Sequence, residues 1–186
     1  MMRGYFGIGV EGISKPMNVG SLLRSAHAFG ASFFFTVNTE IDLDAMRESD
    51  TSGAFGHMPF YDFDSPQNLL LPMNTALVAI ELIEDSIDLP SFRHPARAAY
   101  VLGPEKASVS PEMLKRCDFV VKIPMKFCVN VGVAGALVMY DRLISLGKFA
   151  DRPVKAGGPD FIPEGLRREQ VVFSPNDRPF ESRKRK

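Results

Sequence analysis

Three times along this chain a β-rich apolar run stops at a short loop of Gly, Pro or Asn, and a helical pattern opens behind it. The segments are PMNVGSLLRSAHAFGA (16–31), YVLGPEKASVSPEML (100–114) and IPMKFCVNVGVAGALVMYDRL (123–143). A strand that feeds a helix must cross over before it can pair with a parallel neighbour. Repeated crossovers build an α/β fold with a mostly parallel sheet and helices on both faces. In open sheets of this kind ligands bind at the carboxyl ends of the strands. The three loops are therefore expected to assemble one site.

The remaining pattern continues the alternation. Strands are expected over 5–10, 32–37, 57–63, 75–82, 96–103 and 118–124, from short apolar runs rich in β-branched and aromatic residues. Pro59 lacks an amide donor, which places 57–63 at an edge. Helices are expected over 18–29, closed by Gly30, over 110–116, opened by Ser110 and Pro111, and over 130–146. Shorter helices are expected over 42–48 and 65–71. At 186 residues, with 45% hydrophobic and 24% charged residues, the chain is long enough for one sizeable core.

The domain is expected to end near residue 149. Residues 150–186 contain Pro153, Pro159, Pro163, Pro175 and Pro179, and read as an extended or disordered arm, with 171–175 as a short apolar anchor. Charge is unevenly placed although the chain is neutral overall. Residues 151–186 hold nine Lys/Arg against six Asp/Glu, and the chain ends in SRKRK. Such a tail attracts phosphate without reading sequence, or is a solvated end.

Cys117 and Cys128 have no pairing pattern, which suits a reducing compartment and a cytoplasmic location. His27, His57 and His94 lack ligand spacing, so no metal is expected. No apolar run approaches the roughly 20 residues that span a bilayer, so no membrane partner is expected.

Gly7, Gly9 and Gly12 spell GxGxxG, yet a dinucleotide site is excluded. The helix that should present its N-terminus to a pyrophosphate opens several residues too late, and the second strand, FFFTVN, ends without an acid. These glycines are expected to serve close strand packing and a loop.

Within the first segment, Val19, Leu22, Leu23, Ala26 and Phe29 form an apolar stripe, and Asn18, Ser21, Arg24 and Ser25 lie toward the other side. Arg24 reads as a surface cation or a site residue, and Asn18 as a helix N-cap or a site residue. Gly103 permits close approach in the second loop, and Glu105 is an acceptor or a solvated acid. In the last helix Gly132 and Gly135 each cost roughly 1 kcal/mol against Ala. Another backbone is therefore expected to pack there, within the fold or across a dimer.

The spacing N-x-G-x-x-x-R at 18–24, the strand followed by Gly103-Pro104-Glu105, and Ile123-Pro124-Met125 leading to Cys128-Val129-Asn130 together resemble the three motifs of the SPOUT methyltransferases. The likeness is to the TrmH (SpoU) branch, which methylates RNA ribose, and covers about residues 4–147. It implies a C-terminal region threaded as a trefoil knot, S-adenosylmethionine bound in that knot, a homodimer, and tRNA or rRNA as substrate. It assigns Ile80, Glu81, Gly103, Ile123, Met125, Cys128 and Val129 to the cofactor pocket. Asn18, Arg24, Glu105 and Asn130 fall to the substrate, with Arg24 assisting loss of the 2′-hydroxyl proton or steadying oxyanion charge.

One departure stands out. The family's third motif has Ser-Leu-Asn where this chain has Cys128-Val129-Asn130, and a thiol is a weak donor. That change feeds an alternative: a non-catalytic RNA-binding or assembly protein that keeps the fold. The Asn18 and Arg24 pattern argues against methylation of a base.

Overall fold

A computed structural model of the chain describes residues 4–40, 54–104, 107–159 and 161. The strands are β1 (Tyr5–Glu11), β2 (Phe33–Val37), β3 (Phe60–Phe63), β4 (Ala76–Ile80), β5 (Ile87–Asp88), β6 (Arg97–Leu102) and β7 (Phe119–Lys122). The α-helices are α1 (Pro16–Phe29), α2 (Pro111–Leu114) and α3 (Val131–Leu146). One sheet runs β3-β2-β1-β6-β4-β7-β5, and every pairing in it is parallel. Later strands insert between earlier ones: β6 lies between β1 and β4, and β7 between β4 and β5.

The two faces of the sheet are sorted by the period-two alternation of strand side chains. Ile8, Val10, Phe34, Val78 and Tyr100 point to one face, where Val19, Leu22 and Leu23 of α1 and Val138 and Met139 of α3 cover them. Phe33, Phe35, Leu77, Ala79 and Val101 point to the other, against Leu69, Val109 and Met113. Burial on both faces explains why these strands read as continuous apolar runs.

Most elements fall where the pattern places them, and β3 is an edge strand as Pro59 implies. Four details differ. Helix α1 begins at Pro16, with Lys15 at its N-cap, so Asn18 is inside the first turn and is not the cap. The fixed φ of Pro16 is already helical, which starts the helix early. The segment 65–71 holds only a 3-10 turn, Pro66–Asn68, because the backbone returns to extended geometry at Leu69. Helix α2 is one turn long. Strand β5, two residues long, is too short for any periodicity to reveal. The helix expected over 42–48, Glu105, and the run 171–175 lie outside the described residues.

Close packing accounts for the glycines of the false fingerprint. A Cβ on Gly7 would sit 2.2 Å from the Phe33 ring, and one on Gly9 2.2 Å from the Phe35 carbonyl oxygen. Gly12 has φ +62°, a left-handed turn that sends the chain from β1 toward α1. At the far end of α1, Gly30 adopts φ 75° and its neighbour's amide, Ala31 N–H, bonds back to Ala26 O at 2.9 Å. That is the 6→1 closure expected of a glycine-terminated helix.

The chain divides into two compact units, Met1–Gly147 and Lys148–Lys186. The described residues of the second, 148–159 and 161, contain no helix or strand. No helix among the described residues is long and apolar enough to cross a membrane.

Candidate active site

Strands β6, β4 and β7 are neighbours, and their carboxyl ends open on one side of a cavity of about 410 Å³. Its walls come from the residues just past each strand: Ile80–Leu82, Leu102–Pro104 with Ala107 and Ser108, and the 123–129 segment with the start of α3. All seven residues assigned to a cofactor pocket, Ile80, Glu81, Gly103, Ile123, Met125, Cys128 and Val129, line this one cavity. Leu82, Ser108 and Phe127 line it as well, and were not singled out in the sequence. The lining mixes apolar side chains with a carboxylate, a hydroxyl and a thiol. Such a surface suits a flat apolar group carrying a few polar and charged atoms.

Two carboxylates shape the wall behind β6. Glu81 accepts from Leu82 N–H at 2.8 Å and from Val109 N–H at 2.7 Å. Glu11, only 3% exposed at the end of β1, accepts from Ser110 N–H at 2.9 Å and from its hydroxyl at 2.6 Å. The Ser110 hydroxyl in turn accepts from Met113 N–H and caps α2. Gly103 completes this wall, since a Cβ there would lie 2.8 Å from the Val109 nitrogen. Sequence reading found the Ser110 cap and Gly103 but missed Glu11. Its signal was a lone acid closing an apolar strand, in GIGVEG.

The first and third motifs meet directly. Asn130 Nδ2 donates to Asn18 Oδ1 at 2.9 Å, and Asn130 Oδ1 accepts from Gly132 N–H at 2.9 Å, capping α3. One asparagine therefore fastens α3 to α1 and starts α3. Asn18 is 8% exposed, so its carbonyl needs such a partner. Arg24 lies two turns along α1 and is exposed, with no hydrogen bond or ion pair among the described residues. The structure thus joins Asn18 and Asn130 and leaves Arg24 outside that pair.

The α3 glycines have an explanation within the fold. A Cβ on Gly132 would sit 2.7 Å from Ser21 Oγ, and one on Gly135 2.1 Å from Leu22 Cδ1. They let α3 lie close on α1, and what they admit is side chains of α1 rather than another backbone. They therefore carry no information about a dimer.

The two cysteines differ. Cys128 is exposed at the cavity. Cys117 donates to Met113 O beneath α2, and burial, with Asp118 and Glu11 adding repulsion, pushes its thiol up to about 12.

The comparisons agree with this geometry. The mouse tRNA (guanosine(18)-2'-O)-methyltransferase TARBP1 is 26% identical over 137 residues, covering 69% of this chain and 9% of the mouse protein. A tRNA/rRNA methyltransferase of Archaeoglobus fulgidus is 28% identical over 144 residues, covering 74% of this chain and 63% of its own length. The chain thus spans less than two thirds of either relative. Among solved structures, the SpoU methyltransferase AviRb from Streptomyces viridochromogenes, in complex with AdoMet, aligns with a TM-score of 0.68 at 22% identity. That alignment covers 76% of this chain and 60% of AviRb. A structure described as giving insights into 2-OH methylation of C/U34 on tRNA aligns with a TM-score of 0.66 at 22% identity, over 77% of this chain and 97% of its own. The chain therefore shares the fold of the SpoU methyltransferase AviRb. Residues 6–140 match the model of the SpoU rRNA Methylase family, and the chain belongs to that family.

Proposed function

We propose that this chain is an RNA methyltransferase that uses S-adenosylmethionine to methylate a ribose 2′-hydroxyl of tRNA or rRNA. The observation that carries the reading is the convergence of all three motif loops: seven assigned residues on one cavity, and Asn18 bonded to Asn130 beside it. A cavity of about 410 Å³ falls within the range of small-molecule sites. Ile80, Ile123, Met125 and Val129 offer apolar faces for a purine.

S-Adenosylmethionine, when bound, supplies an electrophilic methyl group. The chain's own part is to position the hydroxyl and manage its proton. Arg24 is assigned to orient the hydroxyl or stabilise its developing negative charge, since a guanidinium stays protonated and donates. Asn18 and Asn130 hold the two motif helices in register, and Glu105 is assigned to the substrate side.

The insertion of β6 and β7 between earlier strands supports the knotted threading that the resemblance implies. Homodimerisation is supported by α3. Val133, Leu137 and Tyr140 form an exposed apolar stripe at i, i+4 and i+7, and Met17 at the start of α1 is 76% exposed. RNA contact is assigned to the body, the dimer and the basic tail.

Cys128 favours one second reading, a non-catalytic RNA binder, because it places a weak donor where the third motif of the resembled family has a serine. Calorimetric titration with S-adenosylmethionine and S-adenosylhomocysteine separates the two. Micromolar binding, followed by a ribose 2′-O-methyl group found in RNA by mass spectrometry, is expected. Absence of binding at millimolar ligand would sink the enzyme reading in favour of the RNA binder. Methylation of a base instead would correct the position of attack.

A further inference from the structure

The wall of the cavity that follows β6 is held by two acids on consecutive amides, and the two holds are chemically different. Glu81 takes two backbone N–H groups, Leu82 and Val109, one on each carboxylate oxygen. Both partners can only donate. Glu11 takes one backbone N–H and one hydroxyl, both from Ser110. A hydroxyl can donate or accept. Ala107 and Ser108 of the cavity wall immediately precede the held pair Val109 and Ser110, and Gly103 sits against the Val109 nitrogen.

We infer that Glu81 is a positioning residue for ligand binding: through Val109 it fixes the wall formed by Gly103, Ala107 and Ser108, with Glu11 as the second anchor at Ser110. The inference rests on the proposed reading of the cavity as the S-adenosylmethionine site. Its physical content lies in what a carboxamide can replace. In Glu81→Gln the one remaining oxygen stays on the part-buried Val109 N–H, and the NH₂ turns to Leu82, whose exposed amide takes water instead. In Glu81→Ala the Val109 N–H has no acceptor at all. The carboxamide should therefore hold the wall, and the methyl group should not.

The test is calorimetric titration of wild type, E81A and E81Q with S-adenosylmethionine and with its neutral product S-adenosylhomocysteine. Hydrogen exchange at the Val109 and Ser110 amides is followed in parallel. A displaced wall weakens both ligands alike, so E81A is expected to raise both Kd values by about tenfold, and E81Q by less than about threefold. Val109 exchange should speed up in E81A with Ser110 little changed. Wild-type affinities in E81A would overturn the inference, and so would equal damage from E81Q. Loss of affinity for the sulfonium ligand alone would also overturn it, since Glu81 would then touch charge rather than place a wall. If wild type binds neither ligand, the cavity reading fails separately. The exchange data then decide the clamp: faster Val109 exchange in E81A supports it, and unchanged exchange overturns it.

Discussion

The two ends of β6 handle polar groups in opposite ways. At its carboxyl end the chain leaves Gly103 and Pro104 beside an open cavity, with Cys128 and Phe127 exposed across from them. Toward its amino end the polar groups close on one another. Tyr100, fully buried, is bonded to His94 Nδ1 at 2.6 Å and accepts from Arg142 Nη1 at 3.1 Å. Arg142, 2% exposed, also donates to Pro95 O and Ala96 O, and its guanidinium lies 5.0 Å from the Phe6 ring centre. His94 Nε2 reaches Asp141 at 2.9 Å. The Asp141 carboxylate can only accept, so His94 Nε2 carries the proton, and Nδ1 of the neutral ring accepts from the Tyr100 hydroxyl. The same strand thus carries a lock at one end, tying α3 to the sheet, and an available surface at the other. Groups satisfied by each other stabilise; groups left facing a cavity can serve a ligand.

The contrast can be broken most forcefully at Arg142. Arg142→Met takes a donor from Tyr100 OH and leaves Pro95 O without one, while Ala96 O keeps only Tyr5 N–H, and it should cost about 3 kcal/mol of unfolding free energy. Denaturant titration checks this, and ligand affinity of the folded variant should stay near wild type. Arg24→Ala should do the reverse: methyl transfer falls by about 100-fold or more, with no change in denaturant midpoint and little change in cofactor Kd. Wild-type turnover in that variant would remove Arg24 from the mechanism. Gly135→Ala tests the α1–α3 contact between the two ends. Its Cβ would strike Leu22, which is fully buried, at 2.1 Å, and overpacking should outweigh the gain in helix propensity by about 1 kcal/mol.

A smaller effect should appear with pH. Burial holds the His94 pKa below its ordinary 6.5, outweighing the pull of Asp141. The folded state therefore favours neutral His94, and the unfolded state binds more protons. Stability from this site is complete above about pH 6.5 and is lost as pH falls toward the folded pKa. Unfolding curves at pH 7.5 and pH 5 should separate in wild type and converge in His94→Gln. The mildest probe is alkylation near pH 8. Cys128 should label and Cys117 should not, because Cys117 remains a thiol, and S-adenosylmethionine should slow the labelling of Cys128.

The cavity end was legible in sequence because it is written in local signals. Gly103-Pro104, Ile123-Pro124 and Asn130 each mark a strand end or a helix start within a few residues, and the family motifs sit on those marks. The lock was not legible. His94, Tyr100 and Arg142 look unrelated in sequence, and Tyr100 reads simply as part of an apolar strand. Glu11 was missed for the same reason: its partner, Ser110, lies 99 residues away. Asn18 was half legible, since N-x-G-x-x-x-R marks it as special, while its bond to Asn130 spans 112 residues.

The sequence by itself determined the element types, the parallel character of the sheet and the loops that carry the site. Periodicity, Gly, Pro and capping residues act over one or two turns of chain. Only the tertiary structure decided the strand order, in which β6 and β7 enter between strands already laid down in sequence. It also decided which buried polar groups find each other: Glu11 with Ser110, Asn18 with Asn130, and Tyr100 with His94 and Arg142. A buried hydrogen bond forms between whichever complementary groups the packed sheet brings within about 3 Å, and nothing local in the chain records that meeting.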